Sequence, residues 1–204
     1  MTRAMLCAAA LAVAIACGPP AGSPEALRAE LLRMGRADQA DRDGIAAAVA
    51  RNDTAYLRRL RFTDSTRTAR LRELVAAHGW PRTDVVGAEA AKAAWLIVQH
   101  TSDTAFRSSV LPQLDSAAAR GDLARGDLAM LTDRMLVEAG KPQRYGNSFA
   151  VLLGHLVMHP VEDLAHLEER RAAVGLPPMT EYVEQLKKLY NMPVDWPPRA
   201  EVPM

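Results

Sequence analysis

Cysteine is nearly absent from this chain. Cys7 and Cys17 are the only two in 204 residues, and both lie at the N-terminal end. A fold held together by disulfides is therefore excluded for everything after residue 17. Neither sign of charge dominates: 25 Lys and Arg stand against 24 Asp and Glu, interspersed along the chain. That leaves no basic footprint for nucleic acid and no polybasic patch for an anionic membrane surface. No apolar run reaches the ~20 residues that a membrane-spanning helix needs. Alternating strand patterns are also scarce.

What is present begins with an address. Arg3 is followed by the apolar run Ala4 to Ala16, which has the layout of a secretory signal. It ends Ala14-Ile15-Ala16-Cys17, which resembles a bacterial lipobox. On that reading residues 1–16 are removed and Cys17 carries lipid, so the protein is exported and anchored to a bacterial membrane, facing the periplasm or the surface. The alternative is an ordinary signal cut near Ala16 or Ala21. Residues 17–23 form a short tether. Removing Arg3 with the signal leaves the mature chain near neutrality. Roughly 180 residues remain, enough for one domain with a real core. The end of the chain, 192–204, is rich in proline and reads as an extended tail pinned by Trp196.

Residues 24–191 read as an all-α domain, a single irregular bundle of about six to eight helices. Ser23-Pro24-Glu25 starts the first helix with a cap, a proline and an acid, and it runs to about Arg42. A shorter helix follows Asp43-Gly44. Asp64-Ser65 starts another, stopped at His78-Gly79-Trp80-Pro81. Further helices are expected over Ala88–His100, from Ser102 or Asp103 to Ala119, from Asp122 or Asp127 to Gly140, over Val161–Val174 and over Met179–Asn191. The apolar stretch Ser148–Met158 fits a strand pair or a buried helix, and periodicity does not decide between them. The repeated Arg-Gly-Asp-Leu-Ala at Arg120 and Arg125 reads as two helix starts.

Three places carry chemistry. His100 ends an apolar helix, over Leu96 and Ile97, with Asp103 three residues on. Either His100 answers the negative helix end and Asp103 is an N-cap, or the two form an acid–base pair at a helix junction. Asp133 is flanked at helical spacing by Ala129, Met130, Leu136 and Val137, so it is half buried and needs a partner. His100, Arg144 or a backbone cap are the candidates. The loop Gln143-Arg144-Tyr145-Gly146-Asn147 follows directly and combines amide, guanidinium and phenol groups with a flexible glycine. His155 and His159 are spaced for a metal face on a helix, but Pro160 disfavours helical backbone at His159 and no third ligand is fixed. No metal and no cofactor is expected.

These residues also fall in a familiar order: Gly79-Trp80-Pro81, Gln99-His100 with Asp103, Asp133-Arg134, Gly140, Gln143-x-Tyr145-Gly146, Arg170-Arg171, Val174-Gly175-Leu176 and Tyr182. From about Leu71 to Leu186 the chain resembles a widespread bacterial family of unknown function with ordered W-P, Q-H-x-x-D, D-R and Q-x-Y-G motifs. The family usually continues Tyr-Gly with Thr-Gln, where this chain has Asn147-Ser148. The resemblance implies candidate positions, Gln99 and Arg134 among them, and no reaction.

Two functions follow. One is a lipid-anchored module of the cell envelope that uses the Gln143–Asn147 loop to bind a small ligand or an envelope protein. The other is an envelope hydrolase or lyase, with His100 as acid or base, Asp103 or Asp133 orienting it, and Arg144 holding an anionic group. No nucleophile elbow or phosphate loop supports the second. Convergence of His100, Asp133 and the Gln143 loop on an open pocket favours a ligand or enzyme site, and burial without a cavity favours a structural role.

Overall fold

The computed structural model of the protein describes residue 20 and residues 22–196. The signal, Cys17 and the tail beyond Trp196 lie outside the described residues. Helix α1 (Pro24–Ala40) starts as expected: the Ser23 side chain accepts from the Ala26 N–H at 3.2 Å, and Pro24 holds the first turn. It buries Leu27, Leu31, Met34 and Gly35 on one face. A short α2 (Ile45–Ala50) follows.

Helix α3 (Thr54–His78) begins ten residues before the expected start. Asp53 is the cap, accepting from the Tyr56 N–H at 3.0 Å. Asp64 is an interior residue of a stripe formed by Leu60, Asp64, Thr68, Leu71 and Leu74. A single turn, α4 (Thr83–Val86), leads into α5 (Ala88–His100), which lies over α1. Contact there is close because the crossing residues are small. A Cβ on Gly35 would lie 2.6 Å from the Ala93 Cβ. Helix α6 (Thr104–Arg120) is capped by Asp103, whose side chain accepts from the Phe106 N–H at 2.8 Å. The first Arg-Gly-Asp ends α6 instead of starting a helix, with Gly121 left-handed just past it. Only the second lies at a helix start, that of α7 (Arg125–Glu138). One apolar cluster runs through α1, α3, α4, α5, α6 and α7. Together these helices form the body.

Residues 148–158 resolve as a hairpin, β1 (Phe149–Leu152) and β2 (His155–Met158), paired antiparallel with Leu152 opposite His155. The two-residue loop between them, Leu153-Gly154, has φ of 50° and 80°. Positive φ at both positions is the primed turn that matches strand twist. Helix α8 is shorter than expected, Leu167–Ala173. Its first turns are lost because Val161 bridges Gln143 and the Glu162 N–H donates to the Gln143 carbonyl at 2.9 Å. After α9 (Met179–Tyr190), the chain adds β3 (Val194–Asp195) parallel to β2. Trp196 packs on the cluster of Met158, Leu167, Met179 and Val183. The hairpin, α8, α9 and β3 thus form a cap with its own small cores, joined to the body where Val49 of α2 meets Leu156, Leu186 and Met192. The fold is mostly helical, with one small three-stranded sheet.

Gly35→Ala tests the α1–α5 crossing. The added methyl meets backbone-anchored Ala93 and has no room to turn aside, so a loss of about 2 kcal/mol is expected in urea denaturation. Unchanged stability would show that the helices separate freely.

Candidate functional site

His100 does not meet Asp133. Its Nδ1 lies 3.0 Å from each carboxylate oxygen of Asp38, a residue on α1 that is 1% exposed. The Arg42 guanidinium donates to the same carboxylate at 2.8 Å and to Asp64 at 2.8 Å, and Arg67 completes the chain to Asp64 at 3.2 Å. Burial pushes the Asp38 carboxyl up. The hydrogen bond and charge of His100, with Arg42 and Gln39, outweigh that and hold it below its ordinary value. Asp103 is also separate from His100: it caps α6 and pairs with Arg72. The amides of Phe106 and Ala105, with Arg72, hold its carboxyl low against partial burial.

Asp133 is fully buried and serves the loop after its own helix. Its carboxylate accepts from the N–H groups of Arg144 (2.7 Å), Tyr145 (3.0 Å) and Asn147 (2.9 Å), and from the Asn147 side-chain amide (3.0 Å). Burial pushes the carboxyl up, and these donors counter part of the rise. Of the partners expected for Asp133, the backbone cap is the one found. The buried Arg171 locks the loop from the other side, donating to the Tyr145 carbonyl and to Asn147 Oδ1 (3.1 Å). Its guanidinium also lies 5.0 Å from the Tyr182 ring centre. Burial raises the Tyr182 phenol to about 12, so it stays protonated and donates to the Asn147 carbonyl at 3.3 Å.

The loop's own side chains point to different tasks. Gln143 is buried and spends its amide on Ser148 and His159 backbone groups, closing the base of the hairpin. Arg144 is exposed and pairs with Glu162 at 3.0 Å. Tyr145 is half-buried, its N–H on Asp133 and its carbonyl on Arg171. Gly146 is buried, has φ of 71°, and leaves no space for a side chain against Met179 and Leu167. His155 is in a strand, bonded to Asp195 at 3.0 Å. His159 is in extended chain four residues on, so the shared helical face that would bring the two rings together is not formed.

An open cleft runs between body and cap. It has two parts that share lining residues, about 430 Å³ against the hairpin and α9, and about 870 Å³ against α1, α2 and α3. Gln99, Arg134 and Tyr190 line both parts. His100 lines the larger, and Asn147 the smaller. Both parts are mixed: Met130, Val137, Phe149 and Leu186 stand beside Glu138 and His159 in the first, and Arg42, Asp64 and His100 stand beside Ile45, Leu57 and Leu60 in the second. Arg134 donates to the Gln99 carbonyl at 2.6 Å and to Glu138 at 3.2 Å, which fixes it at the C-terminal end of α5. Of the expected site residues, then, Gln99, His100, Arg134 and Asn147 share the cleft. Asp103, Asp133, Gln143, Arg144, Tyr145 and Gly146 do not line it.

Sequence reasoning missed Asp38 and Tyr190. Asp38 carried a usable signal: it extends the Leu27–Leu31–Met34 stripe of α1 by one more turn, the same reasoning that singled out Asp133. Tyr190 carried none.

Residues 25–195 match DUF6624, a family of unknown function, and the chain belongs to that family. No curated protein and no solved structure matches it.

Two measurements test these assignments. Asp133→Asn puts an amide group against the loop's N–H donors and should cost about 2 kcal/mol or more in urea denaturation. Asp127→Asn, at the partly exposed Lys92 pair, should cost less than about 1 kcal/mol. Equal losses would deny Asp133 its role. The second measurement concerns acid. The depressed Asp38 carboxyl contributes stability that is present above its ordinary value of 3.8 and is lost as pH falls through its native value. Asp133, shifted upward, contributes in the opposite sense. Asp38→Asn should therefore flatten the acid limb of thermal stability below about pH 4; an unchanged limb would show that the carboxylate contributes nothing to it.

Proposed function

We propose that this is an exported, lipid-anchored envelope protein that binds a small amphipathic ligand in the cleft between body and cap. The observation that carries the reading is the shared wall. Gln99, Arg134 and Tyr190 line two adjoining spaces, each with apolar and polar side chains in its wall, and both volumes fall in the range of small-molecule sites, about 300–1,000 Å³. An amphipathic molecule, with an apolar part against Met130, Val137, Phe149 and Leu186 and a polar part near His100, matches that mixed lining. Gln99 Oε1 adds support: it is buried and has no hydrogen-bond partner, so a bound donor would satisfy it. The export and anchor reading rests on the signal-like start and on Cys17. Ser148 fits the same reading. It lines the smaller part at a position where the resemblance implies glutamine, so the shorter side chain leaves more room.

Both halves of the proposal are testable. Radiolabelled palmitate should enter the wild type and not Cys17→Ser, which should move to the soluble fraction; equal labelling removes the anchor. A dansylated medium-chain fatty acid should show enhanced, saturable fluorescence with the protein. Val137→Arg, which introduces a charge among the wall's apolar side chains, should weaken it by roughly tenfold, about 1.4 kcal/mol. Binding that ignores Val137→Arg would place the probe elsewhere.

A further inference from the structure

His100 stands differently from the other cleft residues. Its Nδ1 is held by a buried carboxylate, while its Nε2 makes no hydrogen bond and the ring lines the larger part of the cleft. Asp38 is in turn fixed by Arg42 and Gln39. An imidazole that donates from Nδ1 to a fixed carboxylate presents the Nε2 lone pair outward, in one tautomer and one orientation. A basic nitrogen and the Arg134 guanidinium therefore face the same cleft, whose wall also carries Met130, Val137, Phe149 and Leu186. Arg134 has Nε and Nη1 occupied by Glu138 and the Gln99 carbonyl, leaving Nη2 as an unengaged donor. Serine, threonine or cysteine is not required as a nucleophile, since an oriented histidine can activate water.

The lining also selects the electrophile. Arg42, Arg61 and Arg134 are balanced by Asp43, Asp64 and Glu138, so the cleft has no excess of positive charge to hold a phosphate ester. An alkoxide leaving group needs one proton, and one histidine can return it. Met130, Val137, Phe149 and Leu186 on the cleft wall offer an acyl chain its apolar contacts.

We infer that the Asp38–His100 pair with Arg134 is a catalytic centre for hydrolysis of a neutral carboxylic ester that carries an aliphatic acyl group. This rests on the cleft being a ligand site. His100 Nε2 removes a proton from water as the water oxygen bonds to the carbonyl carbon. The carbonyl π pair moves onto oxygen, where Arg134 Nη2 donates to it. The tetrahedral intermediate collapses, the C–O bond to the alkoxide breaks, and the proton on Nε2 passes to the leaving oxygen. Ester and water give acid and alcohol. His100 and Arg134 touch the reacting atoms; Asp38 is a positioning residue that fixes the imidazole.

The test uses the full chain in detergent micelles with p-nitrophenyl esters from acetate to decanoate. Hydrolysis above the buffer rate is expected, fastest for the medium acyl chains. His100→Ala should lower kcat/KM by about 100-fold or more. Asp38→Asn should lower kcat with KM little changed and should alter the pH–rate profile, which a purely structural defect would not do. Helicity and melting temperature of both variants show whether each is folded. His166→Ala, outside the cleft on the exposed Asp163 pair, should leave the rate unchanged. No hydrolysis of any ester, or hydrolysis that survives in folded His100→Ala, overturns the inference. The fatty-acid probe separates the two readings: bound probe without turnover sinks the catalytic centre alone, whereas no bound probe sinks the ligand site.

Discussion

The architecture depends on one buried carboxylate. Asp133 sits in the middle of α7 with no exposed surface, and its bonds come from backbone and side-chain amides of a single loop. Removing a carboxylate from water is costly unless its lone pairs are filled. A row of N–H groups aimed at one point fills them and makes a concave anion site out of main chain. The loop is thereby held in one conformation, with Gly146 in the left-handed region that glycine adopts without strain and packed closely against Met179 and Leu167. The hairpin follows immediately, so its position over the body is set by that carboxylate. Arg171 adds the complementary half, binding the loop's carbonyl and Asn147 oxygens from α8.

On the body, a second chain of charges does a comparable task at the end of α5. Asp38, Arg42, Asp64 and Arg67 alternate in sign across α1 and α3. Such pairs add little net stability, yet removing one member leaves a buried charge uncompensated. Their effect is on geometry. Arg42 holds Asp38, and Asp38 holds the His100 ring facing the cleft. The imidazole direction is thus decided by residues on two other helices.

Much of the helical order is legible in local signals. Ser23-Pro24 and Asp103 act as caps where the residue types require them, and α5 ends at His100 as its apolar run ends. The error at α3 has a physical cause. Asp64 looks like a cap because aspartate often is one, but here its carboxylate is bound by Arg42 from the turn after α1. The hairpin was one of two readings because an eleven-residue apolar run fits both, and the Leu153-Gly154 turn decides it. Asp133 was recognisable as buried by its apolar neighbours. Its partners were not, since three of them are backbone amides that carry no side-chain signature. The His100–Asp38 contact spans 62 positions, and no local spacing encodes which helices meet. The proposal of export and anchoring rests on residues outside those the structure describes.

The two ends of this organisation meet in one dipeptide. Asp133 and Arg134 are adjacent on α7, so their side chains leave the helix about 100° apart. The first turns inward to the loop and fixes the cap. The second reaches the Gln99 carbonyl and fixes the end of α5, beside His100. Contacts to both walls of the cleft therefore leave the same turn of one helix. On the proposed reading, a ligand in the cleft would meet Arg134, whose guanidinium is anchored on two sides. Anchoring of that kind lowers the entropy lost when the remaining donor engages a bound oxygen, and it explains why the polar groups at the junction are ordered before any ligand arrives.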